Sequence, residues 1–208
     1  WKDAILRNSF SVNHDLAFTK STENSNTRLS ISSSNSDGIV KNTGLDKYGV
    51  SLYNSNDFFG GKLKIEGRIA YTNLNDKATL VTNNAGYIGN IIASALYWNP
   101  TLPLTDANGG YTYVSDVYLN PKQLLDSYAD NTKTNKLIGS INTTLKITDH
   151  LKYQFLFGVE NSNSTRKSQM LPTMDIQGLT QKNGGIITQG GIATIQNQDN
   201  FNKTFEHT

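Results

Sequence analysis

Between residues 62 and 73 the chain alternates with a period of two. Leu63, Ile65, Gly67, Ile69 and Tyr71 hold one parity, while Lys62, Lys64, Glu66, Arg68 and Thr72 hold the other, with the small Ala70 as the interruption. Successive side chains of a strand point to opposite faces, so this segment reads as a strand with one apolar face and one face carrying four charges. A second alternation runs from 151 to 159. Leu151, Tyr153, Phe155, Phe157 and Val159 face one way, and Lys152, Gln154, Gly158 and Glu160 face the other, with Leu156 as the exception.

Weaker alternations recur at Val12, Leu16 and Phe18, at Leu29 and Ile31, at Tyr48, Val50 and Leu52, and at Ile141, Leu145 and Ile147. Six strands are therefore predicted before residue 161. A seventh is predicted at 186–195, interrupted by Gly190-Gly191, and an eighth from Phe201. Several of these strands span about 10–12 residues, longer than the usual five or six of globular sheets and close to the ~9–11 that cross a bilayer.

The links between strands are unequal. Those after the first, third and fifth strands are short, near 21–26, 54–61 and 148–150. Those after the second, fourth and sixth are longer, at 37–45, 75–135 and 161–185, with Asp37-Gly38 a compact hairpin signal of its own. In an up-and-down sheet alternate links share a rim, so short turns lie on one edge and long loops on the other. That asymmetry is the one outer-membrane barrels show.

The long insertion at 75–135 carries helical spacing of its own. Ile88, Ile91, Ile92, Ala95 and Leu96 form one stripe, ended by Asn99-Pro100; Asn120 then caps a run opened by Pro121, with Leu124, Leu125 and Tyr128 on one side. Two short helices packing on each other over the sheet rim are expected.

Composition narrows the chemistry. The chain has 208 residues and a net charge of +2, too balanced for a nucleic-acid binder, and charged residues make up only 17%. Asn occurs 25 times. With no cysteine, disulfide scaffolds, thiolate metal sites and cysteine nucleophiles are excluded. No apolar run reaches the ~18 residues of a membrane helix. The start, Trp1-Lys2-Asp3-Ala4, lacks a signal-peptide profile, so targeting information is expected in flanking sequence.

His14, His150 and His207 stand apart from carboxylates at ligand spacing. Asp106-Ala107-Asn108-Gly109 resembles the opening of a calcium loop but lacks its later ligands, so an Asn-Gly turn is the better reading. Gly60-Gly61-Lys62 is no phosphate loop, and Glu66 with Glu160 is better read as two members of a polar face than as a hydrolytic pair. Neither enzyme activity nor any cofactor or metal is expected. Tyr97, Trp98, Asn99, Tyr111, Tyr113 and Tyr118 are the candidate ligand-binding residues, since flat rings beside amides suit a sugar or peptide; the same rings could instead pack the loop's own helices.

Two architectures fit the alternation. In a soluble sandwich the apolar face meets a second sheet; in a barrel it meets lipid while the polar face borders a wet lumen. Strand length, the unequal rims and Phe58-Phe59 near a strand end favour the barrel. A soluble carbohydrate-binding or surface adhesion β-domain is the alternative.

Several stretches resemble a known family. Trp1-Lys2-Asp3-Ala4-Ile5-Leu6-Arg7, Asn13-His14-Asp15-Leu16 and Asp37-Gly38-Ile39-Val40-Lys41-Asn42-Thr43-Gly44 are similar to the early barrel segment of SusC/RagA-type TonB-linked outer-membrane proteins. The most specific likeness is Ala95-Leu96-Tyr97-Trp98-Asn99-Pro100-Thr101-Leu102-Pro103, followed by Asn120-Pro121 and residues 131–137. The resemblance implies an all-β, antiparallel segment supplying about seven strands of a large transmembrane barrel of about 22 strands, with the plug domain outside it. It further implies nutrient import, of glycans or peptides, across the outer membrane of Bacteroidetes-type cells. The implied partners are a SusD-like surface lipoprotein as lid, TonB acting through the plug, and outer-membrane lipid. Alone in water, such a segment would aggregate through its open edges and apolar face.

Overall fold

The computed structural model describes residues 2–80, 90–114, 119–172, 182–183, 186–187 and 191–208. A short helix α1 (Lys2–Ile5) precedes six long strands: β1 (Ser11–Ser21), β2 (Ser25–Asp37), β3 (Gly44–Phe58), β4 (Leu63–Ala78), β5 (Tyr128–Lys146) and β6 (Lys152–Met170). Helices α2 (Ile91–Tyr97) and α3 (Pro121–Ser127) lie between β4 and β5. A two-residue pair, β7 (Lys182–Asn183) with β8 (Ile186–Ile187), precedes the last strand, β9 (Ile192–His207).

The long strands form one antiparallel, up-and-down sheet in the order β1-β2-β3-β4-β5-β6-β9. The period-two segments set its register, because a one-residue slip would carry every apolar side chain to the opposite face. Phe18, Leu29, Leu52, Ile69, Gly139, Val159 and Lys203 lie side by side in one row, and Leu16, Ile31, Val50, Tyr71, Leu137, Asn161 and Phe201 lie in the next. Below them Gly67, Ile141, Phe157 and Phe205 align, then Ile65, Thr143 and Phe155, then Phe58, Leu63, Leu145 and Tyr153. These five rows span nine residues of β4, Leu63 to Tyr71, about 26 Å along the strand and about 20 Å in height at the ~40° tilt of barrel strands.

Nothing among the described residues covers this band. Ile65, Ile69, Ile141 and Leu145 are 36–51% exposed, and Leu63, Phe155 and Phe157 are half-exposed rather than buried. A sandwich would bury all of them. The buried apolar core lies elsewhere, in a cluster of Ile5, Leu80, Ile91, Ala95, Leu119, Leu124, Leu125 and Met170 at the rim where the long links gather. Met170 and Tyr128 belong to the polar parity of β6 and β5, so the helices sit over the polar side of the sheet.

The strands run further than the alternation predicts. Serine- and asparagine-rich stretches such as 32–36 and 161–169 have no apolar face, yet they continue the ladder in register. The links thereby shrink: three, four and five residues on one rim, against six, 49 and 21 on the other. The loop expected at 161–185 starts at 171 because β6 continues to Met170, and the one expected at 75–135 occupies 79–127. The seventh and eighth predicted strands are also corrected. Gly191 lies just before β9, so 192–207 is one strand, and Ile186–Ile187 belongs to the small separate pair.

The loop helices pack together as expected, with α1 as an unforeseen third member. The buried stripe of α2 is Ile91, Ser94 and Ala95, followed by Trp98, whereas Ile92 and Leu96 face outward; Ile88 lies outside the described residues. Seven-residue helices do not stand alone in water, and caps supply part of what holds them. Asn90 Oδ1 accepts the N–H groups of Ile92 and Ala93. Asn120, 3% exposed, accepts from Lys122 and Gln123 at 3.0 and 3.3 Å while its Nδ2 donates to the carbonyls of Leu104 and Thr112. One amide thus caps α3 and ties the 104–112 hairpin to it. Asn42, with φ 63°, donates to Leu125 O and links the β2–β3 turn to the same helix. Arg7 bonds Gly38 O and Thr43 O, fixing α1 to that turn.

Two outcomes follow for the sheet within the full-length protein. Ile65→Lys costs about 2–4 kcal/mol of barrel stability, whereas Ala70→Lys on the opposite face is close to neutral; equal penalties in denaturant titrations contradict the two-faced sheet. Ala70 is the suitable control because Thr72 stands opposite Lys136, a like-charge pairing. Asn120→Ala removes a cap and strands two carbonyls, costing about 2–4 kcal/mol of local stability. Hydrogen exchange should then rise across α3 and 104–112 while β4 and β5 stay protected; unchanged exchange contradicts the role given to Asn120.

Candidate functional site

The chain offers two polar surfaces at which a solute could be held: the outward faces of the long loop and the polar face of the sheet. On the loop, the predicted aromatic residues separate into different environments. Trp98 is 3% exposed and its ring N–H donates to Leu102 O at 3.2 Å, so the indole belongs to the loop's interior. Asn99 is exposed, with Oδ1 accepting from Thr101 N and Thr101 Oγ1, which closes the turn after α2. Tyr111 donates to Asp126 at 3.0 Å, and Lys122 reaches the same carboxylate at 2.6 Å while lying 5.9 Å over the Tyr111 ring. Partial burial raises the Tyr111 hydroxyl above its ordinary pKa, with the bond to Asp126 adding to it; the same carboxylate holds Lys122 charged.

Tyr97 and Tyr113 present their rings to solvent at 61% and 73% exposure. Tyr118 lies outside the described residues. The six candidates therefore do not form one stacking platform. Tyr97 and Tyr113 are largely exposed, Tyr111 and Asn99 shape turns and bridges, and Trp98 is core. Leu96 is 77% exposed beside Tyr97, and Ile92 on the same side is 46% exposed, so this flank of α2 is an apolar surface on the loop. The Asp106 segment is a turn: Oδ1 accepts from Asn108 N and Gly110 N, and Gly109 has φ 82°.

The polar face of the sheet carries paired charges that sequence reading left undeveloped. Glu66 accepts from Tyr53 at 2.7 Å and from Asn142 at 3.3 Å, and it pairs with Lys64 at 3.1 Å. Lys136 meets Glu160 at 2.7 Å. Near the long-link rim, Arg166 Nε lies 3.0 Å from both oxygens of Asp130, which is 5% exposed and also accepts from Tyr128. Between these pairs the face is mostly Ser, Thr, Asn and Gln: Ser30, Ser51, Ser140, Thr144, Ser162, Asn200 and Gln198. The signal was available as even-numbered polar positions on β4–β6. Which of them would meet across strands became visible only with the register.

This is a wall suited to water and hydrogen-bonding solutes. Three ion pairs stand on it, and Arg28, Lys47 and Arg68 on the same face have no ion pair among the described residues, so the face offers charged donors as well as neutral donors and acceptors.

Comparison with known proteins gives the wall its context. No protein-family model matches the chain. TonB-dependent receptor P3 of Formosa agariphila is 26% identical over 213 residues, covering 100% of this chain and 20% of its own length. TonB-dependent receptor P26 of the same organism is 30% identical over 144 residues, covering 67% of this chain and 14% of its own length. The chain thus spans a fifth or less of the curated relatives it matches. Among solved structures, the RagAB peptide importer in its closed-closed state superposes with a TM-score of 0.71 at 15% identity, over 99% of this chain and 22% of that one. A second RagAB peptide transporter structure gives 0.70 at 14% identity, with the same coverage. At that identity the likeness concerns the fold, and it places the seven strands as consecutive staves of a large barrel. The chain belongs to the TonB-dependent receptors, of the SusC/RagA type its sequence resembles, and is a segment of their β-barrel.

Proposed function

We propose that this segment is part of the wall and outer loops of a TonB-dependent importer in the outer membrane, taking up a glycan or a peptide. The observation that carries the reading is the uncovered apolar band on one face of a single sheet whose other face is polar and charged. In that setting the band meets lipid and the polar face borders the solute path. The rim with the long links is the extracellular one, where a surface lipoprotein of the SusD kind would close over the loops. TonB would act from the opposite side, on a plug outside this segment. Peptide cargo is favoured by the fold neighbour, a peptide importer, while a wall rich in Ser, Thr and Asn also suits a glycan.

On this reading the α2 flank with Leu96 and Tyr97 serves the lid, and Tyr97 and Tyr113 with Asn99 and Tyr111 serve the cargo. Trp98 acts by holding the loop together; Tyr118 stays a proposed contact from sequence alone. The competing reading, a soluble binding or adhesion domain, needs a second layer over Ile65, Phe155 and Phe157, and none is present among the described residues. The proposed chemistry is transport rather than turnover, since binding and release suffice for it.

The test uses the full receptor in cells, with labelled oligopeptide and oligosaccharide pools as probes. Tyr97→Ala with Tyr113→Ala should lower uptake of one pool by about tenfold, as two rings worth about 0.5–1.5 kcal/mol each imply. Barrel assembly should be unaltered. Uptake unchanged in both pools, with assembly intact, contradicts the role given to these rings.

A further inference from the structure

The outward face of β4, β5 and β6 carries two features that the import pathway does not use. The first is a trio of lysines above the apolar band. Lys77 and Lys167 both stand opposite Asn131, from β4 and β6 respectively, and Lys133 stands opposite Asn75 and Thr165, one pair below. Diagonal neighbours of this kind lie about 7–8 Å apart, and residues two strands apart about 10 Å. All three are exposed. Lys77 has Asp46 at 4.0 Å, but among the described residues Lys133 and Lys167 have no carboxylate partner. Elsewhere on these strands Lys64 is paired with Glu66, Lys136 with Glu160 and Arg166 with Asp130, while Arg68, Lys146 and Lys152, on the opposite face from the trio, have no ion pair among the described residues. A cleft of about 490 Å³ adjoins two of the three, lined by Lys77, Asn131, Lys167 and Ile195, with Asp130, held by Arg166, also in its wall and Leu125 and Asp126 at its top. Asp126 is already engaged by Lys122 and Tyr111.

The second feature is a trough of about 370 Å³ in the band itself. Gly67 and Gly139 lie in its floor, and Leu52, Ile69, Ile141 and Phe157 surround them. Neither glycine has a positive φ, so the backbone does not require glycine at either place. A Cβ at Gly67 would meet nothing within 4 Å. Glycine within a strand weakens it and marks a place where something else approaches closely. A Cβ at Gly139 would meet Val159 Cγ2 at 3.3 Å, so Gly67 supplies open space on the lipid side and Gly139 leaves room that a side chain could take only by displacing Val159.

The two features lie one leaflet apart. Gly139 is six residues from Lys133 on β5, about 20 Å along the strand and about 15 Å along the membrane normal at ~40° tilt. That is half of the ~30 Å hydrocarbon thickness, which puts the trough near the midplane and the lysines among headgroups. We infer that this face binds a phosphorylated lipid of the outer leaflet, with its phosphate on Lys77, Lys133 and Lys167 and an acyl chain in the Gly67–Gly139 trough. The inference rests on the barrel reading above. The occupant is a lipid A-type glycolipid, because the trio lies toward the long-link, extracellular rim and three clustered cations match a phosphate monoester carrying close to two charges.

The test uses the full receptor extracted from its membrane in mild detergent, with bound lipid A quantified per barrel and rebinding followed with lipid A in phosphatidylcholine nanodiscs. The variant K77Q/K133Q/K167Q should weaken rebinding by about a hundredfold, at roughly 1 kcal/mol per lysine. Arginine at the same three positions should preserve it. Gly139→Leu should weaken rebinding severalfold with all three charges intact. Equal rebinding by the glutamine variant and the parent overturns the site, and phosphatidylglycerol competing as well as lipid A overturns the choice of occupant. Heat-dependent gel migration reports barrel assembly separately: failure of the parent to assemble as a barrel overturns the membrane reading and this site with it, whereas an assembled barrel indifferent to the substitutions overturns the site alone.

Discussion

A chain crossing hydrocarbon has no water to satisfy its backbone, so every N–H and C=O within the bilayer must find a partner in the protein. Continuous antiparallel ladders meet that demand here, with registers extending from the eleven pairs of β1–β2 to the nineteen of β5–β6. Among the described residues the two outermost strands, β1 and β9, each have one sheet neighbour. Their free edges call for further strands, which agrees with a chain spanning a fifth or less of its relatives. Ladder closure also explains why the strands can be rich in Ser and Asn. Propensity matters less when the backbone partner is obligatory and the side chain has only to suit lipid on one side or water on the other.

That division governs the placement of charge. On the polar face, Glu66, Lys136 and Asp130 each sit with an opposite charge and, for Glu66 and Asp130, with a tyrosine hydroxyl as well. On the lipid face two lysines fall inside the band: Lys20 on β1, in the row of Gly67, and Lys203 on the last strand, whose ammonium lies 5.2 Å from the ring centroid of Phe201. A stem laid along apolar neighbours with its head drawn outward is how a lysine is tolerated at such a place. The loop obeys a different rule because it stands clear of the membrane. It builds a small core from three helices of four to seven residues, each dependent on its caps and on the others.

Much of this was legible in the sequence, and the remainder failed for definable reasons. The alternation at 62–73 and 151–159 identified β4, the lower half of β6 and the face each presents, because lipid on one side enforces a strict period. It could not reveal 161–170 as strand: Asn161, Ser162, Asn163 and Ser164 are polar on both faces and show no alternation, and the ladder with β5 alone carries the strand on through them. The same blindness split β9 at Gly191. In the loop, Asn120-Pro121 marked the start of α3 correctly, since capping chemistry is local. The buried stripe of α2 was misjudged because Ile92 and Leu96 are as apolar as Ile91 and Ala95, and only the position of α1 and α3 decides which side is covered. Trp98 was open to both a ligand and a packing role, and its packing shows once Leu102 O is seen to take its N–H.

The central claim is that one face of this sheet meets acyl chains while the other meets water. Because the chain has no cysteine, single cysteines can be placed along β4 at positions 65 to 70 in the full receptor, labelled with a fluorophore and exposed in turn to brominated lipids and to an aqueous quencher. The account predicts a period of two: lipid quenching at 65, 67 and 69, and aqueous quenching at 66, 68 and 70. Aqueous quenching at every position, or protection from both quenchers at 65 and 69, would contradict it.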